Sequence, residues 1–239
     1  MKRSLLILAL LTMVCLALAG CGPPAVPTLT ISQIPWPDDE VTTYTIEDQD
    51  GNTIATGELT IEKGNNTYLL IQHFELTAQE AVQHITLNVS AADLKPISGN
   101  QTIQTPEGVL GVVTTYSEGQ VSVTATIDGE EQSATFDIPG DAYDNDEVLF
   151  LFRAIPLEVG YTASYTNVVP SYGLTPKVTV TVVGEEEVTT PAGSFNCYKL
   201  EFSVEGGTQK QYIWYGVDQP HYLVKYDNGT TIFLLAEHP

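Results

Sequence analysis

The chain has 239 residues, with 9 basic against 30 acidic side chains and a net charge of −21. So acidic a surface repels phosphate backbones and anionic headgroups, which excludes a nucleic-acid-binding role. With three cysteines in the whole sequence a disulfide framework is also excluded, and the folded part must rest on its apolar core.

Lys2 and Arg3 open the chain, and residues 5–20 (LLILALLTMVCLALAG) are almost wholly apolar. A charged start, an oily run and small residues at its end are the layout of a secretory signal. The run is shorter than the roughly 20 apolar residues a membrane span needs. Leu18-Ala19-Gly20-Cys21 resembles the lipobox of bacterial lipoproteins. That resemblance implies cleavage between Gly20 and Cys21 and a diacylglycerol, with its palmitate-type chains, on the Cys21 thiol. The alternative is an uncleaved anchor helix in which Cys21 is an ordinary thiol. Loss of Lys2 and Arg3 leaves 7 basic against 30 acidic residues, a net −23.

Residues 21–40 are then expected to form a lipidated tether. Pro23, Pro24, Pro27, Pro35 and Pro37 favour extended geometry, and no apolar period runs through them. Residues 41–239 show no shift in composition and read as a single domain.

From residue 44 the dominant signal is period-two alternation rich in Val, Ile, Thr and Tyr, broken by Gly and by Asp-Gly or Asn-Gly pairs. YTIEDQDGNTIATGELTI reads as a hairpin whose positive-φ turn falls at Asp50-Gly51 or Gly51-Asn52. TYLLIQHFEL, HITLNVSA, GVVTTYS, VSVTATID and SATFDIP follow as strands, with Asp128-Gly129 at another tight turn. Residues 144–156 (DNDEVLFLFRAIP) instead have helical spacing. Asp144 can cap the first turn while Glu147 reaches back to it, and Pro156 ends the helix. Val148, Leu149, Leu151, Phe152 and Ile155 are too many for one face, so the helix is expected to be buried against the sheet. Arg153, the sole arginine beyond the leader, is expected either to pair with an acid or to anchor an anionic headgroup.

The last third alternates most clearly: KVTVTVVGEEEV, NCYKLEFSVE, KQYIWYGV, YLVKYD and TTIFLLAE. Their short connections force neighbouring antiparallel pairing, a meander. In NCYKLEFSV the pattern buries Tyr198, Leu200, Phe202 and Val204 and leaves Cys197, Lys199, Glu201 and Ser203 wet. YIWY and IFLLA are bulky on both faces, so those strands are covered twice or line a hollow. The expected fold is all-β and mainly antiparallel, one large curved meander sheet or half-barrel of about a dozen strands with one short buried helix.

Chemical motifs are sparse. His73, His84, His221 and His238 are scattered, with no HxxxH or CxxC, so no shared zinc site is expected. Asp141, Asp144, Asp146 and Glu147 crowd one stretch, but the spacing lacks the third ligand and the glycine of a calcium loop, and helix capping explains it better. There is no GxSxG elbow and no glycine-rich phosphate cradle. The expectation is therefore no cofactor, no metal, no catalytic residue and no enzyme.

Three segments together carry a family resemblance: the hairpin TIEDQDGNTIATGELTI; NDEVLFLFRAIPLEVGYTASY; and EEEVTTPAGSFNCYKLEF followed by KQYIWYGVDQPHYLVKYDNG. With ADLKPISG, residues 92–99, they resemble a bacterial envelope family, the domain of unknown function 3108, over most of residues 41–236. The resemblance implies an exported protein. It further implies a curved antiparallel sheet like those of lipoprotein carriers, which hold acyl chains against a concave apolar face. It supplies no catalytic residues. The resulting expectation is a membrane-anchored lipoprotein facing the extracytoplasmic side, acting as a structural or interaction domain. The alternatives are carriage of a lipid or other hydrophobic ligand, with Arg153, Phe152, Trp214 and Tyr212 as contacts, or an enzyme without a recognisable motif. Its partners would be the membrane and either a hydrophobic small molecule or an envelope protein.

Overall fold

A computed structural model describes residues 25–239; the leader, Gly20 and Cys21 lie outside them. The first arm of the sheet comprises β1 (Asp39–Asp48), β2 (Thr53–Lys63), β3 (Thr67–Leu76), β4 (Ala81–Ser90), β5 (Pro96–Thr105), β6 (Gly108–Ser117), β7 (Gln120–Ile127) and β8 (Glu130–Asp137). The second comprises β9 (Ala142–Asp144), β10 (Thr162–Val168), β11 (Lys177–Thr190), β12 (Gly193–Val204), β13 (Lys210–Gly216), β14 (Leu223–Asp227) and β15 (Thr231–Glu237). All fifteen belong to one curved, unclosed sheet. Its neighbours are antiparallel except for the parallel pair β9–β10. Among the described residues no helix is long and apolar enough to cross a membrane.

The strand order explains the curvature. β1 lies in the middle beside β15, β8 is one edge and β9 the other. Residues 138–141 alone join those two edges. So short a connection spans at most about 18 Å, so the sheet must curl until its edges nearly meet. Side chains then close the seam. Val112, Val121 and Val123 of the first arm pack on Ala142 and Val168 of the second, and the Tyr116 hydroxyl donates to Asp144 Oδ2.

Local chemistry places most strands where alternation predicts. Asp128 and Gly129 both take positive φ (50° and 88°), the backbone of a two-residue primed turn. The first hairpin differs: Gly51 takes φ 83°, but the loop is longer. Asp48 Oδ1 organises it by accepting from the Asp50 and Asn52 amides at 2.9 and 2.8 Å. Three strands exceed the expected dozen. β5 (PISGNQTIQT) is rich in weak strand formers and is held by β4 and β6 on either side. β9 is three residues long, and β10 follows the buried turn.

Residues 144–156 form less helix than expected. Asn145–Glu147 is a 3-10 turn closed by the capping box: Asp144 accepts from the Asp146 amide, and Glu147 accepts from the Asp144 amide at 2.6 Å. One α-turn follows, α1 (Val148–Leu151). The Arg153 and Ala154 amides then bond three residues back, and the Ala154 carbonyl is taken by the Ser32 amide at 2.8 Å. An incoming segment of the chain therefore satisfies a carbonyl at the end of the turn, one that no helix ending at Pro156 would pair internally. The segment is a plug inside the curved sheet, with Phe150, Leu151, Phe152 and Ile155 all buried.

That incoming chain corrects the tether. Leu29 and Trp36 are core residues. The Leu29 amide donates to the Ser164 carbonyl and the Ser164 amide to the Pro27 carbonyl, both at 2.8 Å, so residues 27–29 cover the part of β10 that short β9 leaves bare. Trp36 meets Tyr68 edge-on at 5.7 Å. From residue 27 the chain belongs to the domain, because two large apolar side chains gain more from the core than from water.

Candidate ligand-binding cleft

Between the two arms and beside the plug lies a cleft of about 510 Å³, within the size range of small-molecule sites. The inward faces of β3 and β4 form one wall, with Gln72 opposite Ile85 and Phe74 opposite Gln83. The other wall comes from β10–β15, and the first turn of the plug forms the floor.

The walls are aromatic. Phe74 and Phe233 meet edge-on across the cleft at 5.7 Å, and Tyr226 lies 5.4 Å from Phe233 and stacks on Phe202 at 6.2 Å. Gly57 makes room for Phe74: a Cβ there would sit 2.9 Å from its ring. Tyr226 is oriented by its hydroxyl, which donates to Gln211 Oε1 at 2.5 Å; burial pushes its pKa up to about 12.

Most of the polar groups are amides. Gln83, Gln209, Gln211 and Asn228 stand among the aromatic walls. On the floor Asn167 Nδ2 donates to Asn145 Oδ1 at 3.0 Å, and Gln72 Nε2 donates to the Asp146 carbonyl. Among the described residues no lysine, arginine or histidine lines the cleft, and Asp146 is its one carboxylate. Desolvation holds Asp146 above the usual carboxylate range. Behind it burial raises Asp144 to about 7, helped by repulsion from Asp146, and raises Glu147 well above its ordinary value. Lys95, whose own pKa burial lowers, faces this cluster. Its Nζ donates to the Ala142 carbonyl at 2.9 Å and lies 3.6 Å from the centre of the Tyr143 ring. Asp141 points elsewhere, accepting from Thr166 Oγ1 at 3.1 Å and pairing with Lys177. The acidic run is thus split between a cap and an ion pair, and among the described residues no group of three His, Cys, Asp or Glu side chains is set to hold a metal.

None of the four contact residues expected from sequence lines the cleft. Phe152 is wholly buried behind the wall, 5.4 Å from Phe202 and 5.9 Å from Tyr165. Arg153 is locked in a buried ion pair with Glu40, the first of its two expected readings. Trp214 lies on the outer face, its Nε1 donating to Glu186 at 2.7 Å, with Lys199 and Lys225 over its ring at 5.1 and 4.7 Å. Tyr212 lies beside it, donating to Glu201 at 3.3 Å. Cys197 is not wet. Strand alternation puts it on the outer face, but it is fully buried there, opposite Glu186 and Gly216, and burial pushes its thiol up to about 12. Sequence reasoning missed the amides of the cleft, since glutamine and asparagine on a strand look the same whether they face water or a cavity. Phe233 alone carried a signal, in the two-faced bulk of IFLLA.

Residues 40–232 match the model of a family described as protein of unknown function, DUF3108. No curated protein matches the sequence. Among solved structures the chain is similar to a β-barrel-like protein of domain of unknown function DUF1849 from Brucella abortus, with 10% identity, TM-score 0.49 and coverage of 87% of this chain and 98% of that one. It is also similar to a candidate lipoprotein from Parabacteroides distasonis, with 12% identity, TM-score 0.34 and coverage of 88% and 99%. A candidate exported protein with a YmcC-like fold from Bacteroides fragilis gives 10% identity, TM-score 0.34 and coverage of 90% and 100%.

Proposed function

We propose that this chain, which belongs to the DUF3108 family, is a lipid-anchored, non-catalytic binding module of the cell envelope. Its cleft takes an uncharged or cationic amphipathic molecule. The observation that carries this reading is the open space of about 510 Å³ between the arms. A purely structural domain would fill its interior. Aromatic walls offer apolar contact, amides offer both donors and acceptors, and Asp146 with the −23 balance disfavours an anion.

The leader and Cys21 support the address. Packing on the domain is seen from residue 27. The six peptide steps from Cys21 to Pro27 reach at most about 20 Å, which would hold the domain close to the bilayer. Cys21→Ala should release the protein from membranes on fractionation.

Native mass spectrometry of protein extracted from its own membrane tests the cleft. A bound small molecule is expected, and it should be lost in Phe233→Asp. Protein that carries no adduct and shows no saturable uptake of octyl glucoside or octylammonium would overturn the reading.

A further inference from the structure

We propose that His73 and His84 form a binding site for a divalent transition metal on the outer face of the sheet, remote from the cleft. Eleven positions separate them in sequence, but the register sets them directly opposite each other on β3 and β4. Directly opposed Cβ atoms lie about 4.5–5.5 Å apart. The two imidazole rings have centroids 5.9 Å apart and planes inclined by 61°. Metal–nitrogen bonds of about 2.0–2.1 Å bring such rings onto one ion after a small rotation of each side chain. Both side chains are free to make it, since His73 is 39% exposed and His84 is exposed.

The surroundings favour a cation. Glu58 of β2 lies directly opposite His73 on the other side, and Glu75 follows two residues along β3, its Oε1 3.7 Å from His73 Nε2. β3, β4 and β5 contain no lysine or arginine. Glu58, His73 and His84 thus form a row across three strands, with a carboxylate at its end and another beside it. The imidazoles supply two ligands and leave the remaining positions to water. Imidazole nitrogen selects zinc, copper and nickel over calcium and magnesium. Packing does not account for the pair, because exposed histidines bury little area and repel each other when protonated.

Titration of tag-free full-length protein with Ni²⁺ by calorimetry tests the site. One ion per chain is expected at the pair. His73→Gln and His84→Gln should each weaken that binding by about tenfold or more without lowering the melting temperature. Absence of saturable Ni²⁺ binding would overturn the proposal. So would binding that survives either substitution, or Ca²⁺ binding as tight as Ni²⁺.

Discussion

Arg153 and Glu40 form a two-pronged ion pair inside the protein, with Nη1 and Nη2 donating to the two carboxylate oxygens at 2.6 and 2.9 Å. Their side chains are 4% and 2% exposed. A third bond, to the Pro220 carbonyl at 2.9 Å, and the Trp36 ring 5.3 Å away complete the surroundings. The pair joins the plug to β1, the central strand, so it links the element that fills the sheet to the sheet itself.

Removing one member should cost more than removing both. Glu40→Ala leaves a buried guanidinium without its counter-charge and should destabilise the fold by about 3–5 kcal/mol. The double variant Glu40→Leu with Arg153→Met exchanges the charges for apolar contact and should cost less than either single loss. Urea denaturation of Glu40→Ala, Arg153→Met and the double variant measures this. Equal or additive losses would show that the charges act independently.

Trp36 gives the docked N-terminal segment an energetic test. Its ring contacts Tyr68 and Arg153, and its burial predicts a loss of about 3–5 kcal/mol for Trp36→Ala. Deletion of residues 1–26 should leave the denaturation midpoint unchanged, whereas deletion of residues 1–38 should lower it sharply. Two deletions of equal stability would return residues 27–38 to a passive stalk.

The buried acids predict the pH dependence of stability. Burial raises Asp144 to about 7, whereas an unfolded carboxylate titrates near ~4. Between those values the folded protein holds a proton that the unfolded chain releases. Stability from this group therefore falls as pH rises from about 4 to about 7 and is level above. Glu147 is raised in the same sense. Asp146 and Glu147 lie against the group, and the Tyr116 hydroxyl donates to it. Asp144→Asn keeps an oxygen for the cap and removes the charge. It should raise stability by about 1–3 kcal/mol at pH 8 and flatten the profile. Denaturation at pH 5.5 and pH 8 compares the slopes, and an unchanged slope would place the titration elsewhere.

Cys197 should be inert in the native protein. It is fully buried and its thiol is pushed up to about 12, so almost no thiolate exists at neutral pH. A thiol reagent should modify it only when denaturant opens the fold, at the rate of unfolding. Prompt labelling of Cys197 in native protein, read by peptide mass mapping, would contradict its place in the core.

Several features were legible in the chain because they depend on near neighbours. Alternation marked twelve of the strands, Asp128-Gly129 could adopt the turn it adopts, and Asp144 with Glu147 spelled a capping box that forms. The meander of the last third followed from short connections. Tertiary structure decided the rest, because it depends on which distant segments meet. The Ala154 carbonyl at the end of the plug meets the Ser32 amide from far along the chain. Trp36 joins the core because β3 offers Tyr68. Cys197 is buried on a face that alternation marks as wet. His73 finds His84 through register. The cleft exists because a four-residue link forces the two edges of the sheet together around a plug too short to fill it, and no local pattern encodes a space between strands far apart in the chain.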